Sequence, residues 1–222
     1  MKKIVVFAPH PDDETLGCGG TILKHISKGH RVYWVILTNM YEEQGFSKDR
    51  IKKRQNEILR VSNNYKFTKV YQLNFPAAKL DTIPKSELVT KISNIIVSIK
   101  PEEVFLNFGD DIHSDHQVAS IAINSSIKSF RHEYIKRVSV YETLSETHFQ
   151  SVANQASFEP NYFVDISKFI KKKCQIMQIY KSELMRANQP RTIDNLKALA
   201  KFRGSRCMSK YAEAFITIYN AE

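Results

Sequence analysis

Short runs of β-branched and aromatic residues alternate along this chain with longer stretches whose apolar positions recur at helical spacing. Residues 4–8, 31–37, 69–73, 103–108 and 137–142 read as strands. The stretches 15–28, 48–62, 85–99 and 116–130 read as helices, the third ending before Pro101. Strands that alternate with helices predict βαβ units on a parallel sheet with right-handed crossovers. Beyond Tyr141-Glu142 the regularity lapses. Residues 144–161 carry Ser, Thr, Asn, Gln and a Pro without periodicity and are expected to form a long loop on the substrate side. A helix over 166–185 follows, with Phe169, Ile170, Ile176, Ile179 and Tyr180 on one side. A further helix over 192–202 and a strand over 214–219 close the pattern, which contains no internal repeat and no low-complexity tract.

At 222 residues, the pattern fits one α/β domain over 1–222 with a full hydrophobic core. No apolar run approaches the roughly 18 residues that cross a bilayer. The chain enters a strand almost at once, so a cleaved leader is not expected and a cytoplasmic location is. Cys18, Cys174 and Cys207 are widely spaced, odd in number and form no C-x-x-C pair, which reads as free thiols in a reducing compartment. The formal charge of +10 raises an anionic partner, but its only short clusters are Lys52-Lys53-Arg54 and Lys171-Lys172-Lys173. Neither is interleaved with aromatics, so both read as solvated helix faces and no nucleic-acid partner is expected.

Two polar clusters change this picture. Pro9-His10-Pro11-Asp12-Asp13-Glu14 follows the first strand, and Asp110-Asp111-Ile112-His113-Ser114-Asp115-His116 follows the strand over 103–108. Both lie at the carboxyl ends of strands and before helices, so they meet at one edge of a parallel sheet. A catalytic divalent ion takes three His or carboxylate ligands and leaves a position open. His10, Asp13 and one histidine of the second cluster meet that need. With His116 as the third ligand, the ion would acidify a water and polarise a carbonyl. Asp12 would then serve as general base, His113 as oxyanion stabiliser or acid, and Asp115 as a hydrogen-bond partner of His113 or of a ligand imidazole. Taken singly, His10 could be a core histidine, and Asp12, Asp13 and Asp115 could be helix-terminus residues. The coincidence of two such clusters favours a metal-assisted hydrolase acting on an amide or ester. Gly17-Cys18-Gly19-Gly20 lies too far past its strand for a dinucleotide fingerprint and reads as close helix packing.

The run Ala8-Pro9-His10-Pro11-Asp12-Asp13-Glu14-Thr15-Leu16-Gly17-Cys18-Gly19-Gly20-Thr21 resembles the signature of the PIG-L/LmbE-like deacetylases. His113-Ser114-Asp115-His116 is similar to that family's second motif, H-x-D-H, and Arg54-Gln55-Asn56-Glu57 to its R-x-x-E helix. Arg203-Gly204 and Tyr211-Ala212-Glu213-Ala214-Phe215 resemble its C-terminal block. The resemblance implies a Rossmann-like fold and zinc-dependent removal of an N-acetyl group from an amino sugar, with iron or cobalt compatible with the same ligands. It carries zinc ligation onto His10, Asp13 and His116, the general base onto Asp12 and oxyanion or acid assistance onto His113. Arg54 takes substrate contact, and Glu14, less directly, takes either substrate contact or a supporting contact behind the site. The chain departs from the family pattern in two places. His113 stands where many relatives have Asn, and Gln189-Pro190-Arg191-Thr192 replaces the commoner His-Pro-Arg-Ser. An amidase or deformylase acting on a sugar-linked or antibiotic-like amide is the alternative, and a metal-containing binding protein without turnover is a further one. The basic charge adds nucleotide-sugars and other anionic conjugates to the candidate substrates, and a homo-oligomer is left open.

Overall fold

The computed structural model describes residues 1–149 and 156–221. Seven strands form one sheet in the order β3-β2-β1-β4-β5-β7-β6. Strands β1 (Lys3–Ala8), β2 (Arg31–Asn39), β3 (Lys69–Pro76), β4 (Glu103–Asn107) and β5 (Arg137–Tyr141) run parallel. Strand β7 (Ala212–Asn220) is antiparallel to both β5 and β6 (Tyr162–Asp165). The order reverses between β1 and β4, which makes their carboxyl ends the switch point where α/β sheets bind ligands.

The central strands are buried on both faces, and alternate residues serve different layers. Ile4, Val6 and Ala8 pack beneath α1 (Asp13–Ser27), α2 (Lys48–Tyr65), α5 (Ile170–Met177) and α6 (Ile193–Ser205). Val5 and Phe7 pack beneath α3 (Lys85–Ile99) and α4 (Ser114–Ser126). The expected α/β class with a mostly parallel sheet flanked by helices is the observed one.

Helix α1 is broken at Cys18, whose φ of −138° lies outside the helical range. Backbone groups freed by the break find other partners. Glu213 accepts the N–H groups of Gly20 at 2.8 Å and Thr21 at 2.7 Å, and Lys173 donates its ammonium to Glu213 at 2.6 Å and to the Leu16 carbonyl at 2.9 Å. Lys173 is therefore a core residue (2 % exposed), which corrects the expectation that Lys171-Lys172-Lys173 is wholly solvated. The glycines do serve close packing: a Cβ on Gly17 would overlap the Tyr141 ring, and one on Gly20 would meet Ile166 at 2.6 Å.

Beyond β5 the structure departs from the sequence-based reading. Part of the expected 144–161 loop, residues 150–155, lies outside the described residues. Residues 162–165 form the edge strand β6, too short to show a period of its own. The helix expected over 166–185 is confined to Ile170–Met177. Ile179 and Tyr180 stay buried without it, because an apolar spacing records which residues go inside and not how the backbone carries them. After Met177 the chain turns over α2, where Ser182 donates to Glu57 at 3.2 Å and Glu183 pairs with Arg54.

Candidate metal centre and cleft

The turn after β1 is held from the neighbouring strand, where Thr38 donates both its N–H and its hydroxyl to the Pro9 carbonyl, at 3.1 and 2.7 Å. It places His10 and Asp13 beside His116 of α4. Asn107 steadies the second segment by donating to the His116 carbonyl at 2.8 Å. His10 Nδ1 lies 3.5 Å from Asp13 Oδ2. His116 Nε2 lies 3.3 Å from the same oxygen and 3.3 Å from His10 Nδ1. Ligands about 2.0–2.1 Å from a tetrahedral ion sit roughly 3.3–3.4 Å from one another, so this triangle has the size of three such ligands.

Flanking carboxylates decide which ring nitrogens face inwards. His116 Nδ1 lies 2.7 Å from Asp111 Oδ2, and His10 Nε2 lies 3.0 Å from Asp115 Oδ2. If each carboxylate takes a ring proton, His116 Nε2 and His10 Nδ1 turn unprotonated lone pairs towards each other and towards Asp13. Such a set calls for a cation. Burial disfavours the charged form of both imidazoles, yet their carboxylate partners push His10 up to about 9 and His116 well above its ordinary value. A divalent ion in the triangle would supply the positive charge that otherwise comes from these protons. The donor set therefore fits a metal. His10, His113 and Asp115 also cluster, but there the Asp115 carboxylate is occupied by His10 Nε2 and by the N–H groups of Ala78 at 2.6 Å and Leu80 at 3.0 Å.

The triangle forms part of the floor of a cleft of about 230 Å³ that is also lined by Asp12, Arg54, His113, Glu146, Glu183 and Arg191. Asp12 has a φ of 148°, a region costly for any residue with a Cβ. Its N–H donates to Glu14 at 3.1 Å, and Glu14 in turn accepts from the hydroxyls of Thr15 at 2.5 Å and Tyr180 at 2.8 Å. Glu14 is fully buried and does not line the cleft. It pins the Asp12 backbone from behind the cleft, a supporting contact and not a substrate-facing one. Burial, then the charges of Asp13 and Glu183, push the Asp12 carboxyl well above the usual carboxylate range, while Arg191 and Arg54 draw it back. Asp13, although buried, is held below that range by His116 and His10.

His113 Nδ1 accepts the Asp115 N–H at 3.1 Å, so the neutral ring carries its proton on Nε2. Burial, followed by the charges of His10 and His116, holds its pKa down to about 4. Arg54 lines the cleft but is bound to the Pro11 carbonyl at 2.8 Å and to Glu183. Arg191 donates to Asp12 at 3.2 Å and lies 3.7 Å from Glu183. Both guanidinium groups are thus charge-paired, and among the described residues the basic balance of the chain is not expressed as a free cation in the cleft. The sequence assigned no role to Glu146, Glu183 or Asp111, and it marked Arg191 only as part of the Gln189-Pro190-Arg191-Thr192 departure from the family pattern. Glu146, Glu183 and Arg191 reach the cleft through irregular chain that no periodicity describes. Asp111 stood inside the second cluster, where its spacing of five residues from His116 was the one available signal.

The model of the PIG-L family, GlcNAc-PI de-N-acetylase, matches residues 5–126. Diacetylchitobiose deacetylase of Thermococcus kodakarensis is 26% identical over 229 residues, covering 96% of this chain and 82% of that protein. Among solved structures, the conserved protein TT1542 from Thermus thermophilus has a TM-score of 0.78 and 26% identity, covering 100% of this chain and 97% of that one. GalB, the 4-carboxy-2-hydroxymuconate hydratase of Pseudomonas putida KT2440, has a TM-score of 0.75 at 17% identity, covering 100% and 98%. The fold alone therefore does not decide the chemistry.

Proposed function

The chain belongs to the PIG-L family, and on that premise we propose that it is a metal-dependent hydrolase that removes the acetyl group from an N-acetylated amino-sugar derivative. The observation that carries this reading is the triangle of His10, Asp13 and His116 at 3.3–3.5 Å beside a buried, strained Asp12. The deacetylase activity of the Thermococcus relative supports the reaction class.

Zinc suits the two nitrogens and one oxygen of the triangle, and iron or cobalt is compatible with them. A divalent ion held there supplies a Lewis acid that acidifies water and polarises the acyl oxygen. The remaining steps belong to the chain. Asp12 Oδ2 is tied to Arg191, while Oδ1 has no protein partner among the described residues and is the atom that takes the proton of the attacking water. As the water oxygen bonds to the acyl carbon, His113 Nε2–H donates to the carbonyl oxygen that becomes negative. Collapse breaks the C–N bond, and Asp12 returns its proton to the departing nitrogen, leaving acetate and a free amine. Asp115 and Asp111 act behind the site by holding the rings of His10 and His116. Arg54 frames the cleft and meets substrate only through whatever donor capacity Glu183 leaves it. Because both cleft guanidinium groups are paired, an uncharged amino sugar is favoured over a nucleotide-sugar.

Among the described residues no helix is long and apolar enough to cross a membrane, and a substrate free in water is the simplest match. The test is amine release from N-acetylglucosamine and N,N′-diacetylchitobiose by zinc-loaded protein. Asp12→Asn should reduce the rate by roughly 10²–10⁴-fold with metal retained. Equal rates would remove Asp12 from its role. Release from N-formyl but not N-acetyl sugars would favour the deformylase alternative, and stoichiometric metal without release from any amide would favour a binding protein.

A further inference from the structure

Glu146 is a cleft carboxylate with no cation within ion-pairing distance among the described residues. Asp12 has Arg191, Glu183 has both Arg54 and Arg191, and Asp13 faces two imidazoles. Among the described residues, the Glu146 carboxylate accepts the Ser145 hydroxyl alone, at 3.0 Å. The turn that carries it is firmly built. Ser145 has a φ of 83°, an unfavourable value for a residue with a Cβ. Before it, Glu142 accepts two hydrogen bonds from Arg203, at 2.8 and 2.6 Å. After it, the Thr147 hydroxyl donates to Asp111 at 2.6 Å, and the other oxygen of Asp111 holds the His116 ring. The Glu146 and Thr147 N–H groups both donate to the Thr143 carbonyl at 3.0 Å. The strained Ser145, in a turn braced on both sides, fixes the position of Glu146, which follows it. Here it presents a carboxylate, from the β5 side of the switch point, while Arg54 of α2 comes from the β2 side.

We propose that Glu146 is the specificity residue of the cleft, accepting hydrogen bonds from hydroxyl groups of an uncharged sugar and turning away substrates that carry a phosphate or other anion beside the amide. The inference rests on the amino-sugar reading above and adds to it a charge preference and the residue that sets it. A carboxylate accepts from vicinal hydroxyls with two oxygens, and each such charge-assisted bond exceeds a neutral one. An anionic group meets the same carboxylate as a like charge, and both cleft guanidinium groups are already paired.

The test measures binding separately from turnover. N-Acetylglucosamine and its 6-phosphate are titrated calorimetrically into zinc-loaded protein in which Asp12→Asn suppresses turnover, with Glu146 retained or changed to Gln or Asp, and acetate release from the same two sugars is followed in parallel with Asp12 present. With Glu146 retained, the protein should bind the uncharged sugar at least about tenfold more tightly than the phosphate. Glu146→Gln should weaken the uncharged sugar by roughly tenfold, raise KM more than it lowers kcat, and narrow the preference. Glu146→Asp keeps the charge on a shorter stem, so it should lose affinity but keep the discrimination against phosphate. The proposal is overturned if Glu146→Gln leaves both affinities unchanged, if the protein with Glu146 retained prefers the phosphate, if it binds neither sugar, or if Glu146→Asp loses the discrimination as Gln does. Selective binding governed by Glu146 without acetate release would uphold this inference and refute the deacetylase reading instead.

Discussion

Two buried charged clusters touch the first turns of α1, and they are built on opposite plans. In the Lys173–Glu213 pair, both Glu213 oxygens are occupied and the ammonium bridges Glu213 and a backbone carbonyl, so the cluster is closed. In the His10–Asp13–His116 triangle, outer carboxylates fix the rings so that three ligand atoms converge on one another. Burial and charge are common to both. What separates a structural ion pair from a reactive centre is whether the ligand atoms are used up by their neighbours or aimed together at a point that needs a cation.

The largest effect should come from opening the closed cluster. Glu213→Ala leaves the Lys173 charge and the Gly20 and Thr21 N–H groups buried without partners, a defect of about 3–5 kcal/mol. For a chain of this size, that lowers the melting temperature by roughly 10 °C, read by scanning calorimetry. A shift of a degree or two would show that water reaches the pair and that the contrast with the centre is false.

Acid gives the comparison a third point, at the far end of α1. His25 Nδ1 lies 3.0 Å from His30 Nδ1, and its Nε2 lies 3.8 Å from Glu103. Burial lowers its pKa from 6.5 to about 4 despite the pull of Glu103. The folded protein thus keeps this ring neutral while the unfolded chain protonates it. Its contribution is complete above pH 6.5 and declines as the pH falls towards 4, with a slope of at most about 1.4 kcal/mol per pH unit. Urea midpoints of wild type and His25→Gln between about pH 7 and 4 should diverge in slope over that window. Parallel slopes would place the proton uptake elsewhere, the candidate metal centre included, where His113 is held equally low.

Metal addition probes the open cluster directly. Zinc at about a hundred times its dissociation constant should stabilise wild type by about 2.7 kcal/mol. His116→Ala should lose most of that gain while melting, without metal, closer to wild type than Glu213→Ala does. A full metal-dependent shift in His116→Ala would remove His116 from the ligand set.

The two clusters were also unequally legible in the sequence. Each half of the His10–Asp13–His116 triangle lies within one short segment after a strand, so residue type, spacing and predicted strand ends were enough to bring them together. The Lys173–Glu213 pair joins two separate elements, and Lys173 stood in a run of three lysines that looks solvated. Only the helical phase of α5 sends the third one inwards. Glu183 was hidden for a related reason: the apolar spacing suggested a helix to residue 185, but the chain leaves it at Met177 and turns across the cleft.

The smallest predicted effect separates the ligands from the groups that aim them. Asp115 has no cleft-lining surface, yet its carboxylate holds the His10 ring and accepts the Ala78 and Leu80 N–H groups. Asp115→Asn keeps the size of the side chain and one acceptor oxygen but removes the charge that fixes the ring tautomer. Metal affinity, measured by competition with a chromogenic chelator, should fall by roughly 10–100-fold with the fold retained. The same exchange at Asp111 should act alike through His116. If Asp115→Asn bound metal as tightly as wild type, the triangle would owe its shape to the backbone turns after β1 and β4 alone. The distinction between closed and convergent clusters would then rest on where the chain places the ligands and not on how carboxylates orient them.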